Sequence, residues 1–384
     1  MKWGSMPRGG KRAGNSTILV SANTFWNIAN FRDGLTRALA AAGYRVAIAS
    51  PDPDPAWASL RGASVAEIAV DRSGLNPFRD AKLFFTYINL FGLLDPEFYF
   101  GFTVKPNIFG CLAARVRSVH AIPNVSGLGT AFINPGPLSA LVGMLYRIAF
   151  ARCPIIFFQN QDDLDLFVAR KIVRFSQAQL LPGSGIDLRH FAPTSPPSGV
   201  TYLFIGRLLG DKGVREFVEA ARLLRPNHPD WKFQLLGPFD EGNRSGIGPV
   251  EVDQWIKEGV VDYLGQANDV RPFLAASTAV VLPSYREGLP RTLLEAAAMA
   301  KPLIATDVPG NRRIVEHGVN GVLCAARDPH SLAQAMLEVG AMDAGKRDAM
   351  GRAGRAIAER SYDEQQVIGA YLEAIAQLRG GRRS

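Results

Sequence analysis

A chain of 384 residues is long enough for two domains of ordinary size, each with a sizeable core. Hydrophobic residues at 47%, charged residues at 20% and a mean hydropathy of +0.03 exclude a disordered or fibrous polymer. The formal charge of +8 favours anionic partners without choosing among phosphates, nucleic acid and an acidic lipid surface.

Met1–Ser16 is basic and Gly-rich with no apolar run, so it does not read as a secretory signal. Apolar β-rich runs then alternate with helical patterns, as in a parallel sheet covered on both faces by helices. Strands are expected at Thr17–Ser21, Tyr44–Ser50, Glu97–Val104, Val119–Val125 and Pro154–Gln159, and helices near Phe31–Ala42, Asn107–Arg117, Leu138–Ala151 and Asp162–Val173. Ser118–Tyr146 lacks Asp, Glu, Lys and Arg, but Pro123, Pro135 and Pro137 break it as a membrane-spanning helix. Between Leu181 and Gly199, Pro182, Gly183, Gly185, Pro193, Pro196 and Pro197 concentrate chain breakers and mark an interdomain connection.

A second alternation follows, with strands Val200–Ile205, Lys232–Leu236, Ala279–Pro283 and Pro302–Thr306 and helices Val214–Leu224, Glu287–Met299 and Ser331–Gly340. Ser361 and Glu364 have the spacing of a capping box, and Val367, Ile368, Tyr371, Leu372, Ile375 and Leu378 form a stripe that must dock on something. The organisation is an N-terminal domain over 1–182, a C-terminal domain over 183–360, and a helix over 361–384 free to cross back to the first domain. Cys111, Cys153 and Cys324, far apart and odd in number, argue against disulfides or a metal cluster and suit a reducing cytoplasm.

Two stretches of the second half carry chemistry. Gly206-Arg207-Leu208-Leu209-Gly210-Asp211-Lys212-Gly213 follows an expected strand and opens an expected helix, where a parallel sheet leaves a crevice and amide donors point outward. Arg207 supplies a planar fork and Lys212 a point charge, a pair suited to a diphosphate; the alternative is a solvated basic turn. The stretch lacks the Gly-Lys-Ser/Thr ending of a triphosphate loop, and no G-x-G-x-x-G follows the first strand. Pro283–Glu295 runs from a buried strand through a loop into an Ala-rich helix, with two carboxylates, Glu287 and Glu295, eight residues apart. With Glu287 on the loop and Glu295 two turns into the helix, both reach one crevice and accept hydrogen bonds from ligand hydroxyls. Gly288 permits close backbone approach, and Pro290 near the helix start leaves amides free for an anion. The competing reading has one glutamate on the helix dipole and the other on the surface.

Together with Thr306-Asp307-Val308-Pro309-Gly310-Asn311-Arg312 and Glu316-His317-Gly318-Val319-Asn320-Gly321, these motifs resemble the retaining glycosyltransferases of family 4 over essentially the whole second domain. The resemblance implies the α/β GT-B fold, two Rossmann-like doubly wound domains with a cleft between them, and a UDP-sugar donor. It implies that Arg207 and Lys212, beside Gly206, bind the donor diphosphate, that Glu287 contacts the donor sugar, and that Glu295 binds the ribose. The backbone of Gly288, Leu289 and Pro290 would lie against sugar and phosphate. The retaining reaction that this resemblance implies is front-face, with the leaving diphosphate taking the acceptor proton, and needs no protein base. It puts the catalytic load on Arg207, Lys212 and Glu287.

In the first half, Asn23–Arg32, Phe102–Gly110 and Asn124–Thr130 resemble, more loosely, bacterial transferases that extend lipid-diphosphate-linked sugars. On that resemblance Asn27, Arg32, Lys105, Asn107, Ser126 and Gly127 bind the acceptor. Arg32 and Lys105, where strands end and helices begin, suit its diphosphate; a plain surface lysine and simple helix-start chemistry at Asn107 are the alternatives. Many relatives place a histidine close to the Ser126–Gly129 loop. None stands there, and His120 reads as structural, which leaves the acceptor's base unassigned. Asp52-Pro53-Asp54 and Asp162–Asp165 imitate a D-x-D metal motif away from the donor motifs, so no metal and no cofactor is expected.

Ala81–Phe91 and Leu138–Arg152, punctuated by Lys82, Arg147 and Arg152, read as core helices or as contacts with an anionic membrane. The expected activity is transfer of a hexose or N-acetylhexosamine from a UDP-sugar to a polyprenyl-diphosphate-linked saccharide, on the inner face of the cytoplasmic membrane. A GT-B transferase with a soluble acceptor, or a nucleotide-sugar epimerase, is the second reading. Nucleic-acid binding lacks the aromatic residues interleaved with a basic patch that it requires.

Overall fold

The computed structural model describes residues 16–71, 76–127, 136–195, 197–240 and 242–380. They fall into two compact units, one running to Gly185 and resuming at Glu364, the other Ile186–Asp363.

In the first unit, β1 (Thr17–Ser21), β2 (Arg45–Ser50), β3 (Ala63–Glu67), β4 (Phe98–Gly101) and β5 (His120–Ala121) form a parallel sheet in the order β3-β2-β1-β4-β5. A second parallel sheet, β6 (Asn124–Val125), β7 (Ile156–Phe158) and β8 (Ala178–Leu180), joins it through one bridge between Phe102 and Asn124. Successive strand side chains alternate between two apolar layers. Leu19, Ala47 and Tyr99 pack with the helices Pro77–Leu94, Cys111–Val116 and Pro137–Phe150; Ile18, Val46 and Phe98 pack on the other face.

The helix Glu364–Gly380 completes that second layer with Val367, Ile368, Tyr371, Ala374 and Ile375. The Tyr371 ring centroid lies 4.7 Å from that of Phe157 and 4.9 Å from that of Phe100, and its hydroxyl accepts from Asn124 Nδ2 at 3.0 Å. Arg379 clasps Glu97 at 2.7 Å and donates to Ser16 Oγ.

The second unit is one parallel sheet, β9 (Thr201–Ile205), β10 (Lys232–Leu236), β11 (Asp262–Tyr263), β12 (Ala279–Leu282), β13 (Leu303–Thr306) and β14 (Gly321–Cys324), in the order β11-β10-β9-β12-β13-β14. β9 and β12 are buried throughout, so they read as continuous apolar runs.

Several expected elements are reshaped for identifiable reasons. Val119–Val125 is two short strands in different sheets, separated at Pro123, which has no amide to donate. β4 stops at Gly101 because Thr103 takes a left-handed φ of 69°. The helix expected from Phe31 begins at Phe25 and breaks at Arg32. The helix expected from Glu287 starts at Arg291, since residues ahead of Pro290 are steered away from helical geometry. Ser361 ends the preceding helix, Ala344–Ser361, so the capping box is not formed. Among the described residues no helix is long and apolar enough to cross a membrane, and all three cysteines are buried and free.

Candidate active site

In the second unit the chain runs outward from β9 to β10 and β11, then returns to β12 beside β9. The reversal opens a crevice at the carboxyl ends of β9 and β12, where open parallel sheets bind ligands. The loops that follow these strands are Gly206–Lys212 and Pro283–Pro290.

Their backbones are locked together. Gly213 has a φ of +73°, and a Cβ there would sit 2.1 Å from the Pro283 carbonyl oxygen, so only glycine allows this approach. The Tyr285 amide donates to the Asp211 carbonyl at 3.0 Å. Thr292 Oγ1 donates to the Ile205 carbonyl at 3.2 Å, which ties the helix Arg291–Ala298 to the end of β9. The loop after β13 closes the third side: a Cβ on Gly310 would meet the Glu287 carbonyl oxygen at 2.3 Å. Asn311 Nδ2 donates to the Thr306 carbonyl at 2.9 Å, and the Thr306 hydroxyl donates to the Ser284 carbonyl.

On this frame Lys212 and Glu287, 75 residues apart in sequence, meet with Nζ 2.5 Å from Oε1. Arg207 Nη1 reaches Asp240 Oδ2 at 2.6 Å, on the loop that follows β10. Both cations expected to bind phosphate therefore hold a carboxylate, and both are accessible enough to exchange it for another anion. Gly288 borders open space, and a Cβ there would meet nothing within 4 Å. Leu289 and Pro290 lead into the helix, with Pro290 as its cap.

Glu295 lies one turn into the helix, rather than two, because the helix starts late. Its carboxylate accepts from Arg291 Nε at 2.8 Å. Burial pushes this carboxyl above the usual glutamate range, against the opposing pull of the Arg291 guanidinium. The structure brings Lys212 to Glu287, but Arg207 and Glu295 each pair elsewhere, with Asp240 and Arg291. Asp240 and Arg291 escaped sequence reasoning. Gly237-Pro238, directly after β10, was the available signal for a third loop at the crevice.

The first unit repeats the topology with different chemistry. Its reversal lies between β1 and β4, and the two loops there are tied by the Asn23 amide donating to Thr103 Oγ1 at 3.2 Å. Arg32 is buried, with its guanidinium carbon 4.2 Å above the Phe102 ring and Nη1 donating to the Phe31 carbonyl. Lys105 pairs with Asp80 at 2.6 Å. Asn107 is buried in the π-helical turn Pro106–Gly110 and donates to the Asn124 carbonyl at 2.8 Å. The Oδ1 atoms of Asn27 and Asn107 are buried without a hydrogen-bond partner among the described residues. Ser126 and Gly127 are half-buried, while Leu128, Gly129 and Thr130 of the same motif lie outside the described residues.

His120 stacks on Phe98 with ring centroids 5.6 Å apart. Asp54 caps the helix Pro55–Ser59, and Asp162 and Asp163 occupy the first turn of Gln161–Ala169. Among the described residues no group of three or more His, Cys, Asp or Glu side chains could hold a metal ion.

Residues 18–160 match the family described as Glycosyl transferase 4-like, and residues 199–341 match Glycosyl transferases group 1. The N,N'-diacetylbacillosaminyl-diphospho-undecaprenol alpha-1,3-N-acetylgalactosaminyltransferase of Campylobacter jejuni is 28% identical over 292 residues, 71% of this chain and 75% of the relative. The UDP-Gal:alpha-D-GlcNAc-diphosphoundecaprenol alpha-1,3-galactosyltransferase of Escherichia coli is 28% identical over 272 residues, 66% of this chain and 69% of the relative. Among solved structures, Anabaena HepE in complex with UDP aligns at a TM-score of 0.72 and 18% identity, over 94% of this chain and 100% of that one. A doubly wound parallel arrangement in each unit, the motifs at the carboxyl ends of its strands and matches over both halves place the chain among the family 4-like, group 1 glycosyltransferases of GT-B fold.

Proposed function

We propose that this glycosyltransferase moves a hexose or N-acetylhexosamine from a UDP-sugar to a polyprenyl-diphosphate-linked saccharide, with retention at the anomeric carbon. The observation that carries the reading is the pair Arg207 and Lys212 at the carboxyl end of β9, beside the reversal, each holding a carboxylate that a diphosphate would replace. Relatives whose names specify diphospho-undecaprenol acceptors, and a like-folded protein in complex with UDP, support the substrate classes.

In this account the donor diphosphate takes Arg207 from Asp240 and Lys212 from Glu287. Glu287, released, accepts hydrogen bonds from sugar hydroxyls, while Glu295 accepts from the ribose and the Gly288–Pro290 backbone lies against sugar and phosphate. The acceptor hydroxyl attacks the anomeric carbon on the face the diphosphate leaves, and its proton passes to a departing phosphate oxygen. Arg207 and Lys212 stabilise the charge that grows on that oxygen, a task in which removing one donor costs about a hundredfold to a thousandfold in rate. Asn27, Arg32, Lys105, Asn107, Ser126 and Gly127 serve the acceptor, with Lys105 passing from Asp80 to the lipid diphosphate. The enzyme works at the inner face of the cytoplasmic membrane in peripheral contact with anionic lipid, without a metal or cofactor.

The test is a panel of UDP-sugars incubated with synthetic polyprenyl-diphosphate saccharides, with product mass and anomeric configuration as readouts. One extended saccharide with the donor's configuration is expected, and its formation survives chelation. An inverted product, or loss on chelation with rescue by magnesium or manganese, contradicts the reading.

A further inference from the structure

Helices of the first unit enclose a groove of about 840 Å³ walled by Phe84, Phe109, Leu112, Val116, Leu141 and Leu145. The helices around it have a second apolar face. Pro77–Leu94 buries Leu83, Tyr87, Leu90, Phe91 and Leu94 in the core yet leaves Phe78 86% and Phe85 61% exposed. Pro137–Phe150 buries Val142, Tyr146 and Phe150 and exposes Leu138, Leu141, Met144 and Ile148. Exposed apolar side chains on the helices that wall an apolar groove point to a binding surface.

Two features specify the occupant. Arg115 and Arg152 border the groove, exposed and without an ion-pair partner among the described residues, so an apolar trough is flanked by guanidinium groups suited to phosphate oxygens. The groove is also linked to the loop after β4 through two of its lining residues. Asp80 lines it and holds Lys105, and Phe109 belongs to the same π-helical turn as Asn107. A chain attached to a diphosphate at Lys105 would start beside two lining residues of the groove, Asp80 and Phe109.

We infer that this groove takes the isoprenoid chain of a prenyl-diphosphate-linked acceptor, an assignment that rests on the proposed lipid-linked substrate. The concave trough with aromatic and aliphatic walls fits a single branched chain, while the projecting Phe78 and Phe85 are not among its lining residues.

The test measures binding of farnesyl diphosphate to the full chain in detergent-free buffer, against inorganic diphosphate. Farnesyl diphosphate is expected to bind about tenfold more tightly or better, as burial of an apolar chain requires. Val116→Asp and Leu141→Asp, both at exposed positions and so compatible with folding, abolish that advantage and leave UDP affinity within about twofold. Equal binding of the two ligands by the wild type, or an advantage that survives in the variant, overturns the assignment. So does a variant that loses only flotation with anionic vesicles, which would make the surface a bilayer dock. Parallel assays separate this from the proposed activity. A farnesyl preference without sugar transfer supports the groove and contradicts only the activity. Transfer with equal KM for prenyl and short-alkyl acceptors overturns only the groove.

Discussion

The two reversals of strand order are the same piece of topology with opposite chemistry. Beside β9 and β12 stand accessible cations on loops whose backbones interlock, each already neutralised by a carboxylate. Beside β1 and β4 stand asparagines whose buried oxygens have no hydrogen-bond partner among the described residues, a buried Arg32 stacked on Phe102, and one half-buried cation, Lys105, held by Asp80. A doubly wound sheet supplies the crevice; the residues on its loops decide what the crevice binds. In the proposed enzyme the second unit manages a high charge density that changes during reaction, and the first positions a neutral hydroxyl and a lipid head.

The largest effect should come from Lys212→Ala. Turnover falls about a hundredfold to a thousandfold while acceptor KM stays near wild type, because the lost donor acts where charge develops. Unchanged kcat removes the asymmetry between the units. Lys105→Ala breaks the comparison from the other side: acceptor KM rises about tenfold and UDP affinity is unaffected, the size expected for one charge-assisted contact. An equal loss with a neutral, diphosphate-free acceptor would deny Lys105 that role.

Glu287→Gln should separate two jobs of one residue. Titration calorimetry is expected to show UDP binding a few-fold more tightly, since Lys212 no longer has a competing carboxylate, while transfer slows about tenfold. Weaker UDP binding would mean that Glu287 orders Lys212 rather than competes for it. The smallest effect is one of pH. Burial raises the Glu295 carboxyl above the usual glutamate range, so protonation begins at a higher pH than for an exposed glutamate. A protonated carboxyl accepts fewer hydrogen bonds, so UDP affinity should decline as pH falls toward that raised value. In Glu295→Gln the decline should be missing. A decline that persists in the variant assigns the titration to another group.

How much of this is legible in the sequence follows from which forces act locally. β1, β10 and the helix Val214–Leu224 have the bounds expected, because a buried apolar run or a clear apolar stripe marks each. The helix Ala344–Ser361 carries no such mark. It buries Met350, Gly351, Gly354 and Ala358, a face of mostly small residues that makes no stripe in a Gly- and Arg-rich segment. β3 escapes notice because its residues are mostly half-buried, and β11 because it has two residues. At the site, residue types and their order are legible, but partnerships are not. Lys212 meets Glu287 across 75 residues and Arg207 meets Asp240 across 33, distances at which only the sheet's order decides who is adjacent. The late start of the helix at Arg291 likewise puts Glu295 closer to the loop than the motif spacing implies.

The central claim is that Arg207 and Lys212 hold a diphosphate, and comparing UDP with uridine tests it most directly. Wild-type protein should bind UDP at least about a hundredfold more tightly than uridine, since charge-assisted hydrogen bonds contribute about 1.5–3 kcal/mol each. In the Arg207→Ala, Lys212→Ala double variant UDP and uridine should bind alike, with uridine affinity unchanged from wild type. A double variant that keeps the wild-type preference for UDP would contradict the account.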